Sequence, residues 1–572
     1  MRKILIIYPY ALDPRLQEDD ISVVPIGVYY VAAVLAEHGF DVEALNWYDA
    51  NGRPEEIERA LREKKPDIIG FSILNANRWG AIDIARIAKR IDPRVVTVFG
   101  GVGATFLWEH FLTHFPEVDF VIRGEGEQSF LALANALSGK KQEPLENVPG
   151  LAFRKDGGIV ANIEPWLIPS LDDLPNPALR FQFQHVASSR GCYGKCAFCG
   201  APKMWRGKIR FHSPQAFVDQ LETLYRKGIS FFYFSDDTLT VNKRRIIATC
   251  QEILTRNLTI SWFAIARVDH IDEETLYWMR KAGCIQISYG VESGSEKIRK
   301  ALNKDLKTED IVHAFDITRR YGIMARAYFI YGSPGETDET VQESIDLMKR
   351  IQPLSAIFYI LELFPGNRLY EDYKRKAAVS DDIWLERIEG IQYFLTDPAM
   401  DEQTILSYGA KLRAAFHGSL HEFVNSIELI DDPELYPYHA DFCSRLGMTF
   451  SHGDYSTIEA IRRSDDIAEK LFRKALHYAS DHRACLGLGI LLQKRKRFEE
   501  SVALLTEGMR SWPDSVQLAT CLGISYLNLR EFKLALQTLE PFGRSPEVKP
   551  YLAATYRELG EYEKERALLS GK

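Results

Sequence analysis

The chain of 572 residues is too long for one hydrophobic core, and the usual ~100–200 residues per domain divides it into three or four. Its 46% hydrophobic and 26% charged residues are those of an ordinary globular protein, and a formal charge of −8 argues against a general nucleic-acid binder, which carries a basic footprint. Neither a run of about eighteen apolar residues nor a signal-peptide cleavage site is found, and eight cysteines in this length do not make a disulfide framework; a reducing cytoplasm is the expected location.

Residues 1–150 alternate apolar runs with amphipathic stretches. Strands are expected at Lys3–Tyr8, Asp41–Asn46, Ile68–Ile73, Val95–Phe99 and Phe120–Arg123, and helices at Val28–His38, Pro54–Lys64 and Trp79–Ile91. That rhythm implies a doubly wound, Rossmann-like parallel sheet covered on both faces. Ligands of such sheets bind beyond the C-terminal ends of the strands. The residues expected there are Pro25 and Gly27 heading the first helix, Ser72 and Asn75, the pair Gly100-Gly101, and the tetrad Gly124-Glu125-Gly126-Glu127. Glycine lets backbone approach a large flat ligand closely. Taken alone, these turns fit a flavodoxin-like or nucleotide-binding domain equally well. Residues 151–184 read as a connector: a hairpin around Asp156-Gly157-Gly158, then an extended stretch carrying Pro165, Pro169, Pro175 and Pro177.

Residues 185–375 open with Ser188-Ser189-Arg190-Gly191-Cys192-Tyr193-Gly194-Lys195-Cys196-Ala197-Phe198-Cys199. The spacing C-x₃-C-x₂-C lets three thiolates converge on one object. A closed zinc site takes four ligands, whereas a four-iron cluster held by three cysteines leaves one iron open; a zinc knuckle with a distant fourth ligand and three unrelated buried cysteines are the alternatives. Strands near Ile229–Phe234, Ser261–Ile265, Ile285–Tyr289, Met324–Ile330 and Ala356–Leu361 alternate with helices, the pattern of a partial or complete β/α barrel with its site on the C-terminal rim. The cysteine loop follows the first strand of that barrel. Rim candidates are Ser235-Asp236-Asp237, Glu292-Ser293 and Gly332–Glu336. Asp236 and Asp237 serve equally as helix caps. Arg267 and Arg326 suit bidentate binding of a carboxylate, or a salt bridge to Asp269 or Glu292.

The loop, with Phe198 just before its last cysteine, resembles that of the radical S-adenosylmethionine (SAM) enzymes. The N-terminal turns resemble the cobalamin-binding domain that precedes the radical core in one subgroup. The resemblance implies a [4Fe-4S] cluster on Cys192, Cys196 and Cys199, SAM contacts from Phe198, Ser235, Asp236, Arg267, Glu292, Ser293 and Arg326, and cobalamin against the N-terminal turns. It further implies an electron donor such as flavodoxin or ferredoxin, a 5′-deoxyadenosyl radical, and C-methylation of an unactivated carbon. Two departures stand out: the Asp-x-His-x-x-Gly motif is absent, and Gly103 occupies a position where relatives often carry histidine. Cyclisation, C–C coupling or rearrangement, with cobalamin auxiliary or absent, is the alternative outcome; a non-catalytic repeat scaffold is the alternative of another class. Methylthiotransferases are set aside because no cysteine precedes Cys192.

Residues 376–455 are expected to form a helical extension with segments Glu402–Phe416 and Ser419–Ile427. His417 and His421, four residues apart, suit a packed or solvated helix face better than a metal. Beyond, Leu488-Gly489 and Leu522-Gly523 recur at a period of 34 residues, as do Phe498 and Phe532, and Leu505 and Leu539. Residues 456–572 thus resemble tetratricopeptide repeats, a surface for a protein partner or self-association.

Overall fold

A computed structural model describes residues 2–12, 23–139, 144–163 and 167–570. Its first sheet is built from β1 (Lys3–Tyr8), β2 (Asp41–Asn46), β3 (Ile68–Ser72), β4 (Val96–Gly100), β5 (Phe120–Ile122), β6 (Leu151–Lys155) and β7 (Gly158–Ala161). Between them run α1 (Ile26–Glu37), α2 (Pro54–Lys64), α3 (Arg78–Ile91), α4 (Val102–Phe106), α5 (Trp108–His114) and α6 (Gly126–Ser138). The strand order is β2-β1-β3-β4-β5-β6-β7, with β1 to β5 parallel. The order reverses between β1 and β3, and a crevice opens at such a switch point. β1 and β3 are apolar runs buried almost throughout, as a strand covered on both faces requires. α2 shows the local logic of the helices: Pro54 at its start, Glu55 and Glu56 in the first turn, Arg62 and Lys64 in the last, and Ile57 and Leu61 buried.

The hairpin read as a connector belongs to this sheet. Phe120 pairs with Phe153 and Val121 with Ala152, antiparallel. Leu151, Ala152 and Phe153 are buried while β7 is mostly exposed, so the hairpin covers the edge that β5 would otherwise leave open.

The second sheet has six strands: β8 (His185–Val186), β11 (Phe231–Phe234), β12 (Ser261–Ala266), β13 (Cys284–Glu292), β14 (Met324–Tyr331) and β15 (Ser355–Ile360). A separate two-stranded ladder, β9 (Ser189–Arg190) with β10 (Arg210–Phe211), stands at its mouth. The six strands follow chain order across the sheet, and β8, β11, β12 and β13 pair in parallel. Its edges are β8 and β15, and the six strands wrap one cavity as a partial barrel. Tyr233, Gln286, Ser288, Arg326, Tyr328 and Tyr359 line its inner cavity.

Two compact units emerge, one from the chain up to Ala314 with Arg326–Met348 and Ala356–Leu412, the other from Phe315–Ala325, Lys349–Ser355 and the chain from Arg413 on. Within the first, residues 378–401 form an irregular strap, with short 3₁₀ turns at Asp381–Leu385 and Tyr393–Thr396, in place of the start of the helical extension expected over 376–455. Within the second, successive helices pack each on the next. The 34-residue period has a physical basis there: a Cβ on Gly489 would stand 2.8 Å from Leu505, and one on Gly523 2.5 Å from Leu539. The same glycine–leucine contact is made twice. The two helical segments expected around Gly418 are one helix, Glu402–Asn425; Gly418 has open space beside it, so it costs propensity but breaks nothing. Among the described residues no helix is long and apolar enough to cross a membrane.

Candidate active site

The cysteine loop is fastened from below and from the side. β9 and β10 close its base, and Gly191 takes φ +115 at a point where a Cβ would lie 2.1 Å from the Lys208 carbonyl oxygen. Only glycine fits there. Asp236, buried at the end of β11, accepts hydrogen bonds from the Ser188 amide (3.1 Å), the Ser188 hydroxyl (2.7 Å) and the Ser189 hydroxyl. Asp237 accepts from the Gly191 amide at 3.0 Å. On the other flank the Ala197 amide donates to Leu302 (2.8 Å), the Leu369 amide donates to Ala197 (3.1 Å), and the Asn367 side chain donates to the Phe198 carbonyl at 3.2 Å. Phe198 packs on the core.

Burial pushes the Cys196 thiol up, and the Cys199 thiol up to about 11. Thiolates in such a place need a positive object beside them. The Gly194 amide already donates to the Cys192 sulfur at 3.3 Å. A closed zinc site takes four ligands, whereas three thiolates in one fastened loop fit a polynuclear cluster with one open corner.

The other rim residues divide. Arg267 is paired with Asp269 (2.8 and 2.9 Å) and lies over the Tyr193 ring; of the two readings open for it, this is the salt bridge. Glu292, at φ +64, is paired with the buried Lys304 at 2.8 Å. The Ser293 hydroxyl meets that of Ser344 at 3.2 Å and accepts from the Ser295 amide at 3.1 Å. Ser235 lines both the inner cavity and a cleft at the ends of the first sheet, and Arg326 lines the inner cavity. Asp236 supports the loop and presents no carboxylate to a ligand.

The other cavity is a cleft of about 1220 Å³ including its open mouth, lying at the C-terminal ends of the first sheet. Pro25, Gly27, Ser72, Gly100, Gly101, Gly124, Glu125, Gly126 and Glu127 all line it, and its opposite wall is made by Ala187, Ser189, Arg190, Trp205, Ser235 and Asp237. Gly27 borders empty space, while Gly101 sits at φ +90 with the Ile73 backbone 2.8 Å from where its Cβ would be. A broad ligand can therefore approach main chain directly, and a corrinoid-sized group fits this cradle. Gly103 packs on the Leu74 backbone, 2.8 Å from the place of a Cβ, which accounts for glycine in place of histidine. Asn75 turns away from the cleft and donates to the Glu389 carbonyl at 2.7 Å.

Glu125 and Glu127 line the cleft but spend their charge elsewhere. Glu125 accepts from Arg190 at 2.7 Å and Arg210 at 2.6 Å, and Glu127 accepts from Arg190 at 2.7 Å. Burial opposes the charge of Arg190, and the two carboxylates outweigh it. Sequence reasoning missed Arg190, Arg210 and Lys304 because their partners lie far along the chain or across a sheet end; the one available signal was a pair of carboxylates in a glycine-rich turn that had to be buried.

His212, next to β10, completes the junction. Its Nε2 meets the Tyr30 hydroxyl at 2.9 Å and its Nδ1 meets Asp172 at 3.1 Å. Burial lowers its pKa from 6.5 to about 4, with Asp172 opposing. The folded protein thus keeps this ring neutral while the unfolded chain protonates it near 6.5. Its contribution is present above pH 6.5 and is lost as pH falls toward 4, up to about 3 kcal/mol. Denaturation midpoints across that window check this: the wild type falls more steeply with acid than His212→Gln.

Comparison with known proteins adds two family matches. The B12 binding domain matches residues 21–134, and the Radical SAM superfamily matches residues 186–348. The chain is 31% identical over 388 residues to an uncharacterized methyltransferase of Pyrococcus horikoshii, covering 66% of this chain and 83% of that one. It is 29% identical over 400 residues to the anaerobic magnesium-protoporphyrin IX monomethyl ester cyclase of Rubrivivax gelatinosus, covering 67% and 71%. Its fold is similar to that of the radical S-adenosylmethionine methyltransferase TsrM of Kitasatospora setae, solved with cobalamin and a [4Fe-4S] cluster, with a TM-score of 0.59 at 16% identity over 83% of this chain and all of that one.

Proposed function

The chain belongs to the radical SAM enzymes that carry a B12-binding domain, and on that premise we propose that it is a cobalamin-dependent C-methyltransferase acting on an unactivated carbon. One observation carries the reading: the turns at the strand ends of the first sheet and the residues flanking the cysteine loop form the two walls of a single cleft. A ligand of the first domain and a reaction started at the loop then share one space. When bound, the cluster with SAM supplies a 5′-deoxyadenosyl radical and the corrinoid supplies a transferable methyl group.

The chain's own residues hold and orient. Cys192, Cys196 and Cys199 are the cluster ligands in this reading. Asp236 and Asp237 fix the loop through its backbone. Ser235 and Arg326, with the Glu292–Lys304 pair, are the candidates for the polar parts of SAM. Backbone at Gly100, Gly101, Gly124 and Gly126 would hold the corrinoid, and apolar Ile6, Val28, Leu74 and Phe130 in the cleft wall would help exclude water, which a reactive radical requires.

The domain reading is 1–150 for the corrinoid, with the hairpin as its edge, then 185–375 for the radical core, a helical extension, and repeats of tetratricopeptide type from about 456. The repeats are read as a protein-binding or self-association surface, and a flavodoxin or ferredoxin as the electron donor. Eight cysteines with no disulfide among them suit the reducing cytoplasm.

A second outcome, ring formation or rearrangement, draws support from the likeness to a cyclase at 29% identity, close to the 31% of the methyltransferase. The test is anaerobic turnover of protein reconstituted with iron, sulfide and corrinoid under a strong reductant. Release of 5′-deoxyadenosine together with S-adenosylhomocysteine and retention of the corrinoid through gel filtration are expected. Deoxyadenosine without S-adenosylhomocysteine overturns methyl transfer in favour of the second outcome. No deoxyadenosine above a cluster-free control overturns both.

A further inference from the structure

Away from the cleft, α5 brings two histidines together. His110 and His114 are one helical turn apart and share a face, with ring centroids 5.1 Å from each other. His110 is 5% exposed, and neither of its ring nitrogens has a hydrogen-bond partner. Its ring neighbours, besides His114, are Phe111 and Phe115. A neutral imidazole carries one donor and one acceptor, and buried polar atoms are nearly always paired. His110 is therefore an unmet demand.

The strap supplies a carboxylate beside it. Asp382 reaches the His114 Nε2 at 2.9 Å. Its neighbour Asp381 is engaged elsewhere, accepting from the Tyr370 hydroxyl at 2.8 Å and from Lys374 at 2.9 Å. One ligand atom each from His110, His114 and Asp382 lie within 4.8 Å of one another, close enough for a single ion with bonds of ~2.0–2.2 Å to draw in all three.

We propose that His110, His114 and Asp382 bind a divalent first-row cation, zinc by its affinity for imidazole and carboxylate, with water as a fourth ligand. The site is a clasp. The strap that follows Asp382 is laid along α3: the Trp79 indole donates to Glu386 at 3.0 Å, Arg78 donates to Glu389 at 3.1 Å, and Arg387 pairs with Asp83 at 2.6 Å. Those bonds hold its middle, and a metal at Asp382 fastens its beginning to α5. Arg78 does not compete for the ligands, since its guanidinium lies over Trp384 and donates to the strap carbonyls of Ile388 and Glu389.

The test uses the full chain with its cluster reconstituted, exposed to zinc in slight excess and desalted. The wild type retains about one zinc per chain with a nitrogen/oxygen shell near ~2.0–2.1 Å in zinc-edge X-ray absorption. In His114→Gln and in Asp382→Asn, both surface changes, retained zinc drops at least ~10-fold while iron content stays the same. The proposal is overturned if the wild type retains no zinc, if the variants retain as much as the wild type, or if the shell is sulfur at ~2.3 Å, which places the metal on the cysteine loop.

Discussion

Alanine at any one of Cys192, Cys196 or Cys199 reduces 5′-deoxyadenosine release to background and strips the bound iron. The loss in rate is at least ~10³-fold, more than about 4 kcal/mol of activation free energy, because two thiolates cannot keep a cluster in contact with a substrate. No spare thiol stands in: Cys250, Cys284, Cys443, Cys485 and Cys521 are buried elsewhere. The sheets survive the change. The loop is fastened by Asp236, by Asp237 and by backbone bonds to Leu302 and Leu369, not by sulfur, so thermal midpoints of the variants stay near that of the cluster-free wild type. Cys521→Ala is the control; it removes a buried sulfur in the helical region and leaves iron and turnover intact. Iron assay and chromatographic product analysis decide the matter, and a triad variant that kept both iron and turnover would remove the loop from the chemistry.

The strands of both sheets were legible because their apolar runs are bounded by glycine and polar turns: β1, β2 and α2 match their expected limits to the residue. Harder to see was where the hairpin at 151–161 goes. Its turn is local, but its pairing with Phe120–Ile122 depends on an edge formed by distant strands. The strap resisted for another reason. Its bonds run to Arg78, Trp79 and Asp83, some 300 residues earlier, and nothing periodic marks a segment shaped by such contacts. At the site, residue type was readable and partner was not. Glu125, Glu127, Asp236 and Arg267 are charged residues at strand ends, where ligands bind, yet each is committed to another side chain or amide of the protein. The four-residue histidine spacing occurs at His417 and His421, on an ordinary helix face, and again at His110 and His114, where only the fold brings up Asp382.

Arg190→Met is expected to cost ~3–5 kcal/mol of stability, the range for breaking a buried ion pair by removing one partner. Arg190 stands between Glu125 and Glu127, whose side chains are 2% and 3% exposed, and over the Tyr30 ring at 5.1 Å. Methionine keeps much of the volume and removes the charge. Arg210 then remains for Glu125 alone, and Glu127 is left buried without a cation. Removing the demand as well should restore the balance: in Arg190→Met/Glu127→Gln the stranded carboxylate is gone while Glu125 keeps Arg210, and most of the lost stability returns. Denaturant titrations of the cluster-free proteins measure both steps. Function should not follow stability back. Arg190 lies two residues before Cys192 and ties the loop to the turn that forms the facing wall of the cleft; the double variant therefore folds but loads iron and corrinoid less completely. If the single variant lost under about 1 kcal/mol, the level of an exposed pair, this junction would be solvated, and its ion pairs would not be what holds the two walls together.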